Sequence, residues 1–140
     1  IRDVVLVDER PPLTLTSGLD TLFIGTNSRP VQILGDPYGD RSSLTNYLNP
    51  RAFTQPANGR YGNMGPSNIQ GPGTWQFDMA LSRAFQLRET QRLEVRAEAF
   101  NVTNSLRPGD PATNFNANTF GVITTSRDPR IMQFALKYVF

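Results

Sequence analysis

The clearest hydrophobic pattern lies in three stretches, and its period is two. Trp75, Phe77, Met79 and Leu81 alternate with Gln76, Asp78, Ala80 and Ser82. Leu93, Val95, Ala97 and Ala99 alternate with Arg92, Glu94, Arg96 and Glu98. In "IMQFALKYVF", Met132, Phe134, Leu136, Tyr138 and Phe140 take one side, and Ile131, Gln133, Ala135, Lys137 and Val139 the other. Successive side chains on a strand point to opposite faces, so each stretch predicts a strand with one apolar and one mixed face. The span Ser82–Asn101 has fair helix propensity. Its apolar positions nevertheless keep a period of two rather than 3.6, which favours strand.

The short polar run "RETQ", Arg88–Gln91, separates residues 74–86 from 92–102 and predicts a long hairpin with a tight turn. Each arm is about ten residues or longer, beyond the usual five or six of soluble strands and enough to cross a bilayer when tilted. Val4–Val7 and Pro11–Gly18 read as extended segments. From Asp20 to Gly73 the pattern dissolves into Gly, Pro, Asn and Asp, which reads as a long loop. A second loop, Thr103 to about Asn118, precedes "TFGVITT" and the final strand. If that last strand runs inward, 92–102 runs outward and 74–86 inward. The tight turn then falls on the periplasmic side and both long loops outside, the arrangement of outer-membrane barrels.

Composition narrows the chemistry. The 140 residues contain no Cys and no His, which removes disulfides, thiol catalysis, Cys/His zinc sites, His-ligated haem and a Ser-His-Asp triad. Fourteen basic and twelve acidic residues leave a net charge of +2, scattered and too small for a nucleic-acid footprint. No apolar run reaches the roughly 18 residues of a membrane-spanning helix, and the start carries no signal-peptide pattern. The chain begins at Ile1 rather than Met, consistent with a mature or cleaved product. The expectation is one β-rich segment over residues 1–140.

Several stretches taken together carry a likeness. "TSGLD" (Thr16–Asp20), "NPRAF" (Asn49–Phe53), "GPGTWQFDMALSRAF" (Gly71–Phe85), "LEVRAEAFNVTN" (Leu93–Asn104) and "TFGVITTSRDPRIMQFALKYVF" (Thr119–Phe140) resemble, in that order, the C-terminal end of Oar-like TonB-dependent receptors. These are outer-membrane barrels, many with a carboxypeptidase-regulatory-like domain at the N-terminus. The resemblance implies that the alternating run ending on Phe140 is an assembly signal on a barrel's last strand. It also implies a plug, a TonB-contacting box and a barrel of about 22 strands. Here about four to six strands are legible, with no counterpart of the plug. "DVVLV", Asp3–Val7, has a faint likeness to the box but reads as an extended strand.

Candidate sites are few. Glu94 and Glu98 share a strand face about 13 Å apart, too far for a glycosidase pair, and Arg96 between them makes a salt ladder. "GDPYGD" (Gly35–Asp40) and "DPATNFNAN" (Asp110–Asn118) could offer oxygens to calcium, but neither matches an EF-hand loop, and Asx-rich turns account for them. "GPSNIQGPG" (Gly65–Gly73) lacks the Lys of a phosphate loop. "NVT", Asn101–Thr103, is a formal glycosylation sequon. Trp75 and Tyr138 suit an aromatic belt in a membrane, or packing between sheets in a polymer. No catalytic, cofactor-binding or metal residue is assigned.

The expected fold class is all-β: antiparallel strands with long loops, an incomplete piece of an outer-membrane barrel whose edges pair with other copies. Single-chain bacterial barrels start at about eight strands, so fewer cannot close, and open edges seek partners. The expected function is structural and non-enzymatic: self-assembly through β-edges into an extracellular filament or oligomer. The alternative is the C-terminal strands of an intact TonB-dependent outer-membrane transporter, partnered by the parent barrel's strands and lipid. A soluble binding module with long recognition loops is a third reading. No cofactor and no nucleic-acid partner are expected.

Overall fold

The computed structural model describes residues 3–140, with side chains from Val5 onward. Cleavage before Ile1 lies outside the described residues. The chain is all-β. Its strands are β1 (Asp3–Glu9), β2 (Pro12–Leu13), β3 (Val31–Gln32), β4 (Phe53–Thr54), β5 (Ile69–Gln70), β6 (Thr74–Gln86), β7 (Arg92–Phe100) and β8 (Ile131–Val139). Every paired strand is antiparallel. Among the described residues the helical element is a single 3-10 turn, Pro50–Ala52. Contacts divide the chain into two units, described separately below.

The strand unit holds a four-stranded sheet in the order β1-β6-β7-β8. It is open, with no strand among the described residues paired to the outer edge of β1 or β8. The segment resembling a TonB box lies in β1, paired with β6. The hairpin arms begin where the alternation predicts. Between them, the N–H groups of Leu87 and Arg88 donate to the Gln91 carbonyl at 2.9 and 3.2 Å, and Gln91 N–H returns to Arg88 at 3.2 Å. The second arm stops two residues earlier than expected, because Asn101 turns to φ 51°. That left-handed conformation is one that Asn tolerates better than most residues. Asp78 Oδ1 accepts the freed Asn101 N–H at 2.8 Å. The Asn101 side chain then clasps Ser105, donating to its carbonyl at 3.1 Å and accepting its N–H at 3.0 Å.

The loop unit comprises Arg10–Gly73 and Pro108–Ser126. The pattern predicts loop for 20–73 and for 108 to about 118, and the two segments together enclose a core of their own. Leu13, Leu15, Leu48, Ala52, Phe53, Met64, Ile69, Phe120 and Ile123 are all buried in it. Phe53, Phe115 and Phe120 meet edge-on or tilted, with centroids 5.1–6.1 Å apart. Of the extended segment Pro11–Gly18 only Pro12–Leu13 is a strand, with a bridge from Thr16 to Asn114 further on. "TFGVITT" is not a strand. It supplies Phe120 and Ile123 to the core, and Ile123 N–H donates to the Leu44 carbonyl at 2.7 Å. The buried Tyr47 hydroxyl donates to the Gln70 carbonyl at 2.9 Å, and loss of water raises its pKa from 10.0.

Turn chemistry replaces periodicity here. Asp20 accepts the N–H of Gly25 at 2.7 Å and those of Leu22 and Ile24 at 3.2 Å each. These bonds, that of Gly25 foremost, hold its pKa below the ordinary 3.8. A lowered folded-state pKa stabilises above the unfolded value, and the contribution disappears as pH falls through the folded value. The Leu22, Ile24 and Gly25 amides should therefore lose hydrogen-exchange protection at pH below 3.8. Asp20→Asn should flatten that dependence. Unchanged protection in the acidified wild type would contradict the assignment.

Candidate functional site

The register sorts the sheet into two faces. Phe85 stands opposite Leu93, which stands opposite Tyr138. Leu81, Ala97 and Phe134 form the next but one row inward, and Met79, Ala99 and Met132 the row after that. Phe77 pairs with Leu6 and Trp75 with Asp8, so these belong to the same face. It is apolar across all four strands, apart from Arg83 near the turn end and Asp8 beside Trp75. It is also uncovered: Phe134 is 76% exposed, and Leu6 and Leu136 are 70% exposed. A soluble surface rarely carries a contiguous apolar patch beyond a few hundred Å², so this face requires a non-aqueous neighbour.

Its height fits a bilayer. Trp75 and Phe85 lie ten residues apart on β6, about 33 Å of strand. At the usual tilt of about 40° this spans about 25 Å, the height of the apolar band on an outer-membrane barrel. Tyr138 stacks on Phe140 with centroids 6.0 Å apart, in the same row as Phe85. Aromatic residues thus mark both margins, as interfacial girdles do.

The other face is charged along its middle strand. Arg92 approaches Glu94 at 3.9 Å, Arg96 pairs with Glu98, and Glu94 stands opposite Lys137. The Glu94–Glu98 pair is therefore a salt ladder, as the alternation predicts. These pairs are largely exposed and each is worth little singly. Towards the loop end of this face lies a 140 Å³ pocket bordered by Glu9, Gln76, Asp78, Arg107 and Arg127. Arg127 binds Glu9 at 2.9 Å. Asp78 accepts from Gln76 at 2.6 and 2.7 Å, and Arg107 donates to Gln76 and to the Asp128 carbonyl at 2.8 Å. Glu9, Asp78 and Arg127 each have a partner, and Arg107 is held through its two terminal nitrogens while its buried Nε has none, so the pocket is a largely satisfied polar latch. Sequence reasoning missed it, because its members are scattered and share no motif.

The other flagged stretches resolve into turns. Asp36 accepts Tyr38 N–H at 3.0 Å, Asp40 accepts Ser42 N–H at 2.9 Å, and Asn114 accepts Asn116 N–H at 3.0 Å. The Ser42 hydroxyl, with its N–H second, lowers the Asp40 pKa from 3.8. Asn101 of the sequon is fully buried with its amide engaged, which leaves no room for a glycan. The loop unit has a 220 Å³ cleft whose lining includes Leu22, Ile24, Arg29, Tyr61 and Met64.

An antiparallel sheet of long strands, greasy on one face, charged on the other and open at both edges, is the wall of a membrane barrel. Comparison with known families agrees: the model of an outer membrane beta barrel domain matches residues 4–133, and the chain belongs to that family. No curated protein and no solved structure matches it. Its place is the outer membrane, where the apolar face meets lipid and the ladder faces the lumen.

Proposed function

We propose that this chain is a non-catalytic wall segment of an Oar-like TonB-dependent receptor barrel. The observation that carries the barrel reading is the two-faced sheet with unpaired outer edges. Unpaired N–H and C=O groups are not tolerated in lipid, so β1 and β8 need neighbouring strands. The receptor assignment rests on the motif series from "TSGLD" to the final strand. Lumen charges bound to one another suit a scaffold rather than acid–base chemistry. The whole receptor should fractionate with outer membranes and lose uptake when TonB is deleted. Uptake that persists without TonB would contradict the receptor assignment.

A second reading is favoured by strand polarity. β1 and β8 run in opposite directions. A copy that sets its β1 beside β8 therefore continues the antiparallel pattern, and such a head-to-tail contact closes into a ring or grows into a filament. Electron microscopy of the isolated 140-residue chain without detergent separates the two. Regular filaments support self-assembly, and aggregates that dissolve only in detergent support the barrel segment.

A further inference from the structure

We propose that Arg83 holds the phosphate of a phospholipid headgroup in the leaflet at the turn end of the sheet. The inference rests on the barrel-wall reading. Arg83 is the only basic residue on the apolar face among the described residues, and it joins none of the ion pairs found there. Its neighbours on that face are Leu81 and Phe85 along β6 and Val95 across on β7, with Leu136 beyond on β8. The nearest acid in register, Glu94, stands opposite Ala84 and belongs to the lumen face.

The guanidinium does not point at random. It lies 5.1 Å from the centre of the Phe85 ring, toward the row that Phe85 forms with Leu93 and Tyr138. A ring face attracts a cation placed over it. The charge thus snorkels from an apolar setting to girdle depth, where headgroup phosphates lie. A guanidinium presents a rigid fork of donors that matches a phosphate's oxygens two at a time. Leu81, Val95 and Leu136 flank it with the surface that acyl chains cover. This favours a lipid over a free anion.

The test uses the full protein carrying this chain, extracted in non-ionic detergent, as wild type, Arg83→Lys and Arg83→Leu. Native mass spectrometry follows retention of phosphatidylglycerol, of a diacylglycerol with the same chains, and of inorganic phosphate. Leucine suits an apolar face, so Arg83→Leu should still fold. Wild type should retain phosphatidylglycerol about tenfold better than Arg83→Leu, the scale of one charge-assisted contact. Arg83→Lys should fall between them, and diacylglycerol should be held equally by all three. Equal phosphatidylglycerol retention in Arg83→Leu would overturn the assignment. So would displacement of the lipid by millimolar inorganic phosphate, which would mark a free-anion site. Failure of all three variants to enter detergent micelles would instead overturn the barrel-wall reading beneath it.

Discussion

Phe134→Arg should destabilise the barrel by about 2–4 kcal/mol, whereas Gln133→Arg, on the adjacent residue, should change stability by less than about 0.5 kcal/mol. The two positions differ in face, not in strand or depth. Phe134 is in the central apolar row with Leu81 and Ala97, midway between the aromatic margins. A guanidinium there has no water and no partner, and it also removes a ring from lipid contact. Gln133 stands opposite Glu98 on the lumen face, where a new arginine meets an acid. Urea unfolding of the lipid-reconstituted protein measures both. The contrast is informative because Phe134 is 76% exposed. If that face met water, Phe134→Arg would be neutral or would improve solubility. Equal tolerance at the two positions would therefore reject the membrane assignment.

Leu48→Ala should cost the loop unit about 2–5 kcal/mol, the range for a truncated core leucine. Leu48 is 1% exposed. It lies where the two chain segments of that unit meet. Tyr47 N–H donates to the Gly121 carbonyl at 3.1 Å, and Gly121 is in the left-handed region at φ 75°. A Cβ on Gly121 would lie 2.8 Å from both Leu48 Cβ and the Leu48 carbonyl oxygen, so the two segments pack closely at this point. Truncating Leu48 leaves a cavity between the segments and should loosen both together. Limited proteolysis should then cut within 10–73 and 108–126 while β6 and β7 resist. Cleavage confined to one segment, or a loss below about 1 kcal/mol, would show that the two do not share a cooperative core.

The sheet was legible because lipid on one side and a charged lumen on the other impose strict alternation. Trp75 to Leu81 and Leu93 to Ala99 write that period directly. The polar "RETQ" placed the turn, so β6 was bounded correctly from residue types alone. The end of β7 was not, because it depends on Asp78 reaching across to Asn101, a contact between residues 23 apart in sequence. The loop unit was illegible for a related reason. Its core residues come singly or in short pairs, such as Leu13 and Leu15, Tyr47 and Leu48, Ile69, and Phe120. They are joined by Asx turns at Asp20, Asp36, Asp40 and Asn114 rather than by a repeating pattern. Residues 20–73 therefore read as loop although Tyr47, Leu48, Phe53, Met64 and Ile69 within them are buried. The latch of Glu9, Asp78, Arg107 and Arg127 draws on four separate places in the chain, and no spacing rule joins them.

One face of the sheet lies against lipid and the other does not. The chain has no native cysteine, so single cysteines placed at each residue of β8, Ile131–Val139, can carry a spin label without background. Accessibility to oxygen, which concentrates in lipid, is compared with accessibility to a water-soluble nickel complex in reconstituted membranes. A period of two is expected: positions 132, 134, 136 and 138 oxygen-accessible, and 131, 133, 135, 137 and 139 nickel-accessible or shielded. A flat profile, or nickel reaching Phe134 and Leu136 as readily as Gln133, would contradict it.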